Sequence, residues 1–252
     1  MLALLGISTL ASLVASLVLG VRLLRLAHRT GELPELIMGT AFLVAGVFGY
    51  VCMLVGTAGA KALPPETAEA LFFVGYGAIS AGVILTYLFV WRVFRPADVW
   101  ARVLVGIVCP IVAVTSLPFA LPSVGTGQVP EQGMPFVVFW LGHAVRIGSG
   151  AWGTIEASRT WLAMRRRMKL GLAEPVVTNR IGLWCTSSFV AVVIFASTAL
   201  SNASGGAMED VMAAGQILLI STATLVSAVC QWLAFMPPRR YLAWVGRPAA
   251  SA

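Results

Sequence analysis

The sequence predicts an all-α polytopic membrane protein with seven transmembrane helices, and three observations lead to this fold class. Of the 252 residues, 59% are hydrophobic and only 11% are charged, whereas about a quarter of the residues in a soluble globular chain are charged. The mean hydropathy is +0.90. Seven apolar runs are each long enough to cross a hydrocarbon core of about 30 Å, which takes roughly 20 helical residues. This composition excludes a soluble enzyme domain, a disordered chain and a disulfide-rich scaffold.

The seven apolar runs are separated by short connections and account for most of the chain. They lie at residues 3–24, 36–58, 68–91, 102–121, 135–160, 179–200 and 211–236. The first run is not a cleavable signal peptide, because no basic segment precedes it and it is too long. Residues 1–252 are therefore predicted to form a single seven-helix transmembrane domain, which leaves no room for a soluble domain of about 100 residues.

The distribution of basic residues predicts the orientation of the helices. The odd-numbered connections and the C-terminal tail carry fifteen Lys and Arg residues, whereas the even-numbered connections carry only Lys61. Because cytoplasmic loops are enriched in Lys and Arg, the N-terminus is predicted outside and the C-terminus inside. The preference for Arg over Lys suits a bacterium with a GC-rich genome, and the expected location is the bacterial inner (plasma) membrane, as a multi-pass protein. The net charge of +7 is then explained by topology, and no nucleic-acid partner is expected.

An internal repeat occurs at an offset of 141 residues. The motif Trp-x-x-Phe-x-Pro at residues 91–96 returns at 232–237, and Pro34 matches Pro175. Both copies are predicted to start outside, so the repeat is parallel and the topology is 3+1+3, as in some small transporters. An alternative is that an interfacial aromatic anchor followed by a helix stop suits any exit from the membrane. The predicted units are the repeat-like halves, about 1–98 and 135–240, and the linker helix, about 102–121.

The fifth apolar run contains an arginine that lipid would not tolerate. Arg146 lies about 11 residues from the outer end, or roughly 16 Å deep at 1.5 Å per residue. An arginine near the midplane costs about 2.5–3.5 kcal/mol on insertion scales, so Arg146 is expected to face the bundle interior. His143 lies one turn outward on the same face. Gly142, Ser149 and Gly153 form a stripe of small residues that lets a neighbouring helix approach closely.

Polar residues at a similar depth predict a cluster around Arg146 in the outer half of the bundle. With His143, the predicted members are Tyr50, Tyr76 and Gln216, together with Glu69 and Asp210 at the outer mouths of their helices. This cluster is interpreted as the binding site of a small anionic ligand or a lipid, which Arg146 would anchor. Two alternatives stay open, namely a buried Arg146–carboxylate pair that only fixes helix packing, and a conduction or proton path. Glu156 is expected to form a local ion pair with Arg159, three residues later.

Several other chemistries lack the residues that they need. A retinal Schiff base requires an intramembrane lysine, but Lys61 and Lys169 both fall in connections. The only histidines, His28 and His143, are predicted near opposite membrane faces, which disfavours haem. No metal cluster, phosphate-binding loop or nucleophile triad is recognisable, so no enzyme activity, cofactor or metal is expected. The four cysteines fall inside apolar runs and are expected to be buried without disulfides.

The fifth connection carries a cytoplasmic basic patch. Its residues are Arg165, Arg166, Arg167 and Lys169. We interpret the patch mainly as a topology anchor, and binding of anionic lipid or of an acidic partner is the alternative. Gly171 is predicted to end the helix as a C-cap, and Pro175 prevents the helix from continuing.

Residues 165–184 and the exit segment Phe-x-Pro-Pro-Arg-Arg-Tyr at 235–241 resemble segments of uncharacterised bacterial seven-helix membrane proteins. Some of those proteins resemble the membrane-embedded sensor halves of signalling proteins. The resemblance implies a receptor-like sensory module whose partners are the lipid bilayer and a separate cytoplasmic signalling protein. A small-solute transporter of 3+1+3 topology and a structural subunit of a membrane complex are the alternative functions.

Overall fold

The computed structural model describes residues 2–59, 62–116, 135–203 and 210–246, with the backbone alone at 2, 58 and 210–213. This part of the chain is helical and contains no β-strand, which confirms the predicted all-α class. The helices are α1 (Leu2–Thr30), α2 (Leu33–Ala41), a π-helical segment (Phe42–Gly49), α3 (Tyr50–Ala58), α4 (Pro65–Phe94), α5 (Val99–Ser116), α6 (Phe136–Lys169), α7 (Pro175–Ala203), α8 (Asp210–Phe235) and α9 (Arg239–Val245).

Six helical segments of the described chain are long and apolar enough to cross a membrane. They are Ala3–Thr30, Leu33–Thr57, Pro65–Phe94, Val99–Ser116, Pro175–Ala203 and Ala214–Phe235. At 34 residues α6 is also long enough, but it is less apolar because it contains His143, Arg146 and Glu156 and ends in a basic patch. Length and composition thus support a multi-pass membrane protein, and the seventh crossing stays a prediction.

The second apolar segment is one continuous rod whose middle is wound as a π-helix. The π-helical residues Phe42–Gly49 join α2 to α3 without a turn. Gly46 and Gly49 lie in this segment, where neighbouring helices come very close. A Cβ on Gly46 would lie 2.6 Å from Ser16 Oγ of α1, and one on Gly49 would lie 2.9 Å from Ala78 Cβ of α4. The wider winding therefore lies where α1 and α4 both pack against the rod.

Helices that are related by the 141-residue offset have corresponding packing partners. Within the described residues, α1 packs against α2 and α8, whereas α6 packs against α7 and α4. Helices α4 and α8 end at Phe94 and Phe235, which are 141 residues apart. Ser8 and Ser149, separated by the same offset, are both buried, and each donates to the carbonyl oxygen three residues earlier. Helix ends and buried contacts therefore recur at the offset found in the sequence.

Most of the interior is apolar, and so is much of the outer surface. One core cluster centres on Val90 and Val112 between α4, α5 and α6, and another centres on Leu19 between α1 and α2. On the outside, Leu10 is 63% exposed and Ile107 is 56% exposed. Water would not favour so much exposed apolar surface, but lipid tails solvate it well. The outward-facing side chains therefore fit a bundle surrounded by bilayer.

Glycines set the distance between α4 and the preceding rod. A Cβ on Gly75 of α4 would lie 2.5 Å from the backbone nitrogen of Met53 and 2.6 Å from the carbonyl oxygen of Gly49. A Cβ on Gly56 would lie 2.7 Å from the backbone of Phe72. Both clashes are with backbone atoms, which cannot rotate away as a side chain can. These glycines allow two helices to cross at backbone contact, a common packing mode in membranes.

Candidate functional site

Arg146 is buried in the centre of the bundle, as the sequence predicts. Its side chain reaches from α6 to α4 and α5, and the residue is only 5% exposed. One terminal nitrogen donates to the Gly142 carbonyl oxygen at 2.8 Å, and the other donates to Ser116 Oγ at 3.1 Å and Ser80 Oγ at 3.3 Å. The two hydroxyls also contact each other, because Ser116 donates to Ser80 at 2.9 Å. Arg146 therefore links three helices through neutral oxygen atoms.

An aromatic ring covers the guanidinium. The carbon at its centre lies 4.9 Å from the centroid of the Tyr76 ring, a cation–π distance. His143 packs one turn away, with its ring 4.6 Å from that of Phe139. The cleft beside Arg146 is lined by Tyr76, Thr115, Val138, Phe139, Gly142, His143 and Arg146, and it has no space for a water molecule. The site is therefore closed in this conformation.

The charge of Arg146 is hydrogen-bonded but not neutralised by the described part of the chain. No carboxylate among the described residues lies within ion-pair distance of its guanidinium. A hydrogen bond to a charged group contributes about 1.5–3 kcal/mol, so three such bonds offset a cost of about 2.5–3.5 kcal/mol for the buried cation. Hydroxyl and carbonyl dipoles leave the net charge in place. The arrangement tolerates a cation and retains attraction for an anion.

The structure brings together only part of the predicted cluster. Tyr76, His143 and Arg146 line one cleft. Gln216 instead donates to the carbonyl oxygen of Ser197 at 3.0 Å, in the interface between α7 and α8. Within the described residues, Tyr50, Glu69 and Gln216 make no hydrogen bond or ion pair with Arg146.

Depth alone was a poor guide to these contacts, because it does not say which way each helix is rotated. One carboxylate oxygen of Glu69 is buried and has no hydrogen-bond partner among the described residues. Asp210 begins α8, and its side chain lies outside the described part of the chain.

Ser80 and Ser116 are functional candidates that the sequence did not single out for this cluster. Ser80 follows Tyr76 by four residues on α4, so the spacing already placed both on one helix face. Ser116 had no comparable indication, since the rotation of α5 is not encoded in its uniform apolar pattern. Gly142 contributes by having no side chain, because a Cβ there would lie 3.0 Å from the Arg146 terminal nitrogen and 3.3 Å from Thr115.

A second charged cluster lies further along α6, around Glu156. This residue is 3% exposed, and its carboxylate accepts a hydrogen bond from Arg95 Nε at 3.0 Å. Arg95 also pairs with Asp98 at 3.2 Å. The pKa of Arg95 is raised, mainly by the hydrogen bond to Glu156 and less by the one to Asp98. Arg159 is 3.7 Å from Glu156 and 66% exposed. The predicted local pair is thus present, but the shorter contact is to the α4–α5 connection.

An aromatic layer separates the two clusters on α6. The Tyr87 hydroxyl donates to the carbonyl oxygen of Val145 at 2.7 Å. The Tyr87 ring packs on Trp152 at 6.0 Å, and Trp152 packs on Trp100 at 5.9 Å. The same helix therefore carries a buried cation, an aromatic layer and a buried anion in succession. Arg146 and Glu156 thus lie on one continuous helix.

The basic patch that is predicted to be cytoplasmic lies at the C-terminal end of α6 and is exposed. The helix ends as predicted, because Gly171 has φ of 71° and the amide of Leu172 reaches back to the Arg167 carbonyl oxygen at 2.9 Å. These are the features of a Schellman C-cap. Arg165 stacks on Trp161, with 4.9 Å between guanidinium and ring. One member of the patch is thus held in place.

The described residues contain no group of His, Cys, Asp and Glu that is suited to a metal ion. The four cysteines are all free thiols. No family model, curated protein or solved structure matches the chain. The chemistry of the two clusters on α6 is therefore the basis on which a function is assigned.

Proposed function

We propose that the chain crosses the bacterial inner membrane seven times, with the N-terminus outside. In this topology α6 is the one crossing in addition to the six apolar segments, and it is the fifth in chain order. At 34 residues α6 is about 51 Å long, which exceeds a hydrocarbon core of about 30 Å. Its polar residues His143, Arg146 and Glu156 are all buried against neighbouring helices, so lipid would not meet them. The strong bias of basic residues to one side supports this orientation.

We infer that the protein is a receptor-like sensor and that Arg146 anchors a small anion or an anionic lipid head group. The observation that carries this inference is a buried guanidinium whose described partners are all neutral. A carboxylate or phosphate group would form charge-assisted hydrogen bonds with it, and these are about twice as strong as neutral ones. The hydroxyls of Ser80 and Ser116 would turn and donate to the same anion.

Entry of an anion requires the closed site to open. The ring of Tyr76 covers the guanidinium, so it must swing away before a ligand reaches Arg146. That movement loosens the link between α4, α5 and α6 and shifts α6 relative to the α4–α5 connection. Because Glu156 is bonded to Arg95 in that connection, the shift reaches the cytoplasmic side. A separate signalling partner would detect the change there.

Substitution of Arg146 tests the sensor. We expect a thermal-shift screen with acetate, succinate, citrate and inorganic phosphate to find an anion that stabilises the wild-type protein in nanodiscs. At 100 times the dissociation constant the stabilisation is about 2.7 kcal/mol. The variant Arg146→Gln should fold and lose this response, whereas Arg146→Lys should retain part of it. The matched control is Arg159→Gln, which removes one exposed charge from the same helix and should respond as wild type does.

A purely structural role is the second candidate, and the absence of space beside Arg146 favours it. In that case the guanidinium only links three helices. Arg146→Gln would then lower the melting temperature equally with and without added anions, and no anion would stabilise the wild type. Either result would exclude the sensor. The transporter alternative receives no support from helix geometry, since residues 183–190, which lie 141 positions after the π-helical segment, are ordinary α-helix in α7.

A further inference from the structure

An open cavity of about 340 Å³ lies at the surface where the end of α6, the start of α7 and α9 meet. It is independent of the Arg146 site and lies next to the cytoplasmic basic patch. Its main lining residues are Trp161, Arg165, Met168, Thr178, Asn179 and Trp244. This volume falls within the range of about 300–1,000 Å³ that is typical of small-molecule sites.

Two contacts give the cavity fixed walls. Arg165 is stacked on the ring of Trp161 at 4.9 Å, which restricts a long side chain that would otherwise move freely. Asn179 donates to the Tyr241 hydroxyl at 2.7 Å, and this bond joins α9 to α7. The Trp244 ring packs on the Tyr241 ring at 6.0 Å and remains 66% exposed at the cavity rim. The cavity therefore combines a positioned cation with an exposed indole ring.

The surroundings identify the chemistry of the occupant. Exposed basic residues surround the cavity at the ends of α6 and α9, namely Arg166, Arg167, Lys169, Arg239 and Arg240. Tryptophans next to basic residues mark the level of lipid head groups. The lining joins one cation to apolar surface from Met168 and Trp244, which suits a ligand with an anionic head and an apolar tail.

We propose that this cavity binds the head group of an anionic phospholipid from the cytoplasmic leaflet. The phosphodiester pairs with Arg165, and Asn179, which the Tyr241 hydroxyl holds in place, bonds the head group beyond the phosphate. The acyl chains lie along the apolar outer surface next to Trp244. In this arrangement α9 is a lid that closes on the lipid and fixes the C-terminal end of the protein to the membrane surface.

Lipid titration of the purified protein tests the proposal. The protein in neutral detergent is titrated with phosphatidylglycerol or with phosphatidylcholine of the same acyl chains, and bound lipid is counted by native mass spectrometry. We expect wild type to bind phosphatidylglycerol at least about tenfold more tightly. Arg165→Gln should lose about tenfold of that affinity. The matched control Arg167→Gln removes the same charge two residues away, outside the cavity lining, and should lose less than about twofold.

Three outcomes would overturn the proposal. Equal losses in Arg165→Gln and Arg167→Gln would show general attraction to the basic patch. Equal binding of both lipids would exclude recognition of the anionic head. Binding of soluble glycerol phosphate as tightly as phosphatidylglycerol would assign the cavity to a soluble anion. Trp244→Ala provides a second check that leaves the net charge unchanged, and it should weaken phosphatidylglycerol binding without altering the fold.

Discussion

Replacing Gly75 with alanine is expected to lower the free energy of unfolding by about 1–3 kcal/mol, the usual cost of overpacking a close contact. The added methyl group would fall 2.5 Å from the Met53 backbone nitrogen and 2.6 Å from the Gly49 carbonyl oxygen. Neither atom can move without displacing the whole rod formed by α2, the π-helical segment and α3. Helix α4 must therefore move outward along this crossing, and the packing gained from close backbone approach is lost.

Gly77 provides the matched control for this prediction. It lies two residues further along α4, and a Cβ there would meet nothing within 4 Å. Gly77→Ala should therefore leave stability unchanged or raise it by up to about 1 kcal/mol through helix propensity. Thermal or denaturant unfolding of both variants in the same detergent makes the comparison. Equal stability of the two variants would mean that α3 and α4 do not cross at backbone contact.

Replacing Glu156 with alanine is expected to lower the melting temperature by about 5 °C or more. The substitution removes a buried carboxylate that receives a 3.0 Å hydrogen bond from Arg95 and leaves a gap beside α6. Arg95 then keeps its pair with Asp98, which is more exposed to solvent, and its stacking on Trp100. Arg159→Ala should change the melting temperature little, because Arg159 is 66% exposed and 3.7 Å from Glu156.

A double-mutant cycle separates the pair from the gap that alanine leaves. If the bond between Arg95 and Glu156 dominates, Glu156→Ala should cost much less in an Arg95→Ala background than in wild type. Additive losses would instead assign the effect to lost packing at position 156. A larger coupling of Glu156 to Arg159 than to Arg95 would contradict the observed geometry.

Composition and local pattern predicted the fold class well. Apolar runs of sufficient length predicted most of the helices, and Gly171 and Pro175 marked the end of one helix and the start of the next. The burial of Arg146 was predictable because hydrocarbon penalises an exposed guanidinium so strongly. These features depend on a residue and its immediate neighbours along the chain. A single sequence contains that information.

Features that depend on how helices are rotated and paired were not predictable from the sequence. Gln216 has the depth of Arg146 but faces α7, and the apolar pattern around it does not define a preferred face. The bond between Arg95 and Glu156 joins residues 61 positions apart, whereas Arg159 was the evident partner by spacing. The π-helical segment at 42–49 packs between α1 and α4, and no local sequence motif predicts it.

The neutral partners of Arg146 have a consequence for biogenesis. Taken alone, α6 would partition poorly from the translocon into lipid, because it has an arginine within its apolar stretch and less apolar content than the other long helices. Ser80 and Ser116 precede Arg146 in the chain, so the ribosome delivers α4 and α5 first. Their hydroxyls are already in place when α6 emerges. Insertion of α6 is therefore expected to depend on the helices made before it, and deletion of α4 and α5 should leave the nascent α6 outside the bilayer.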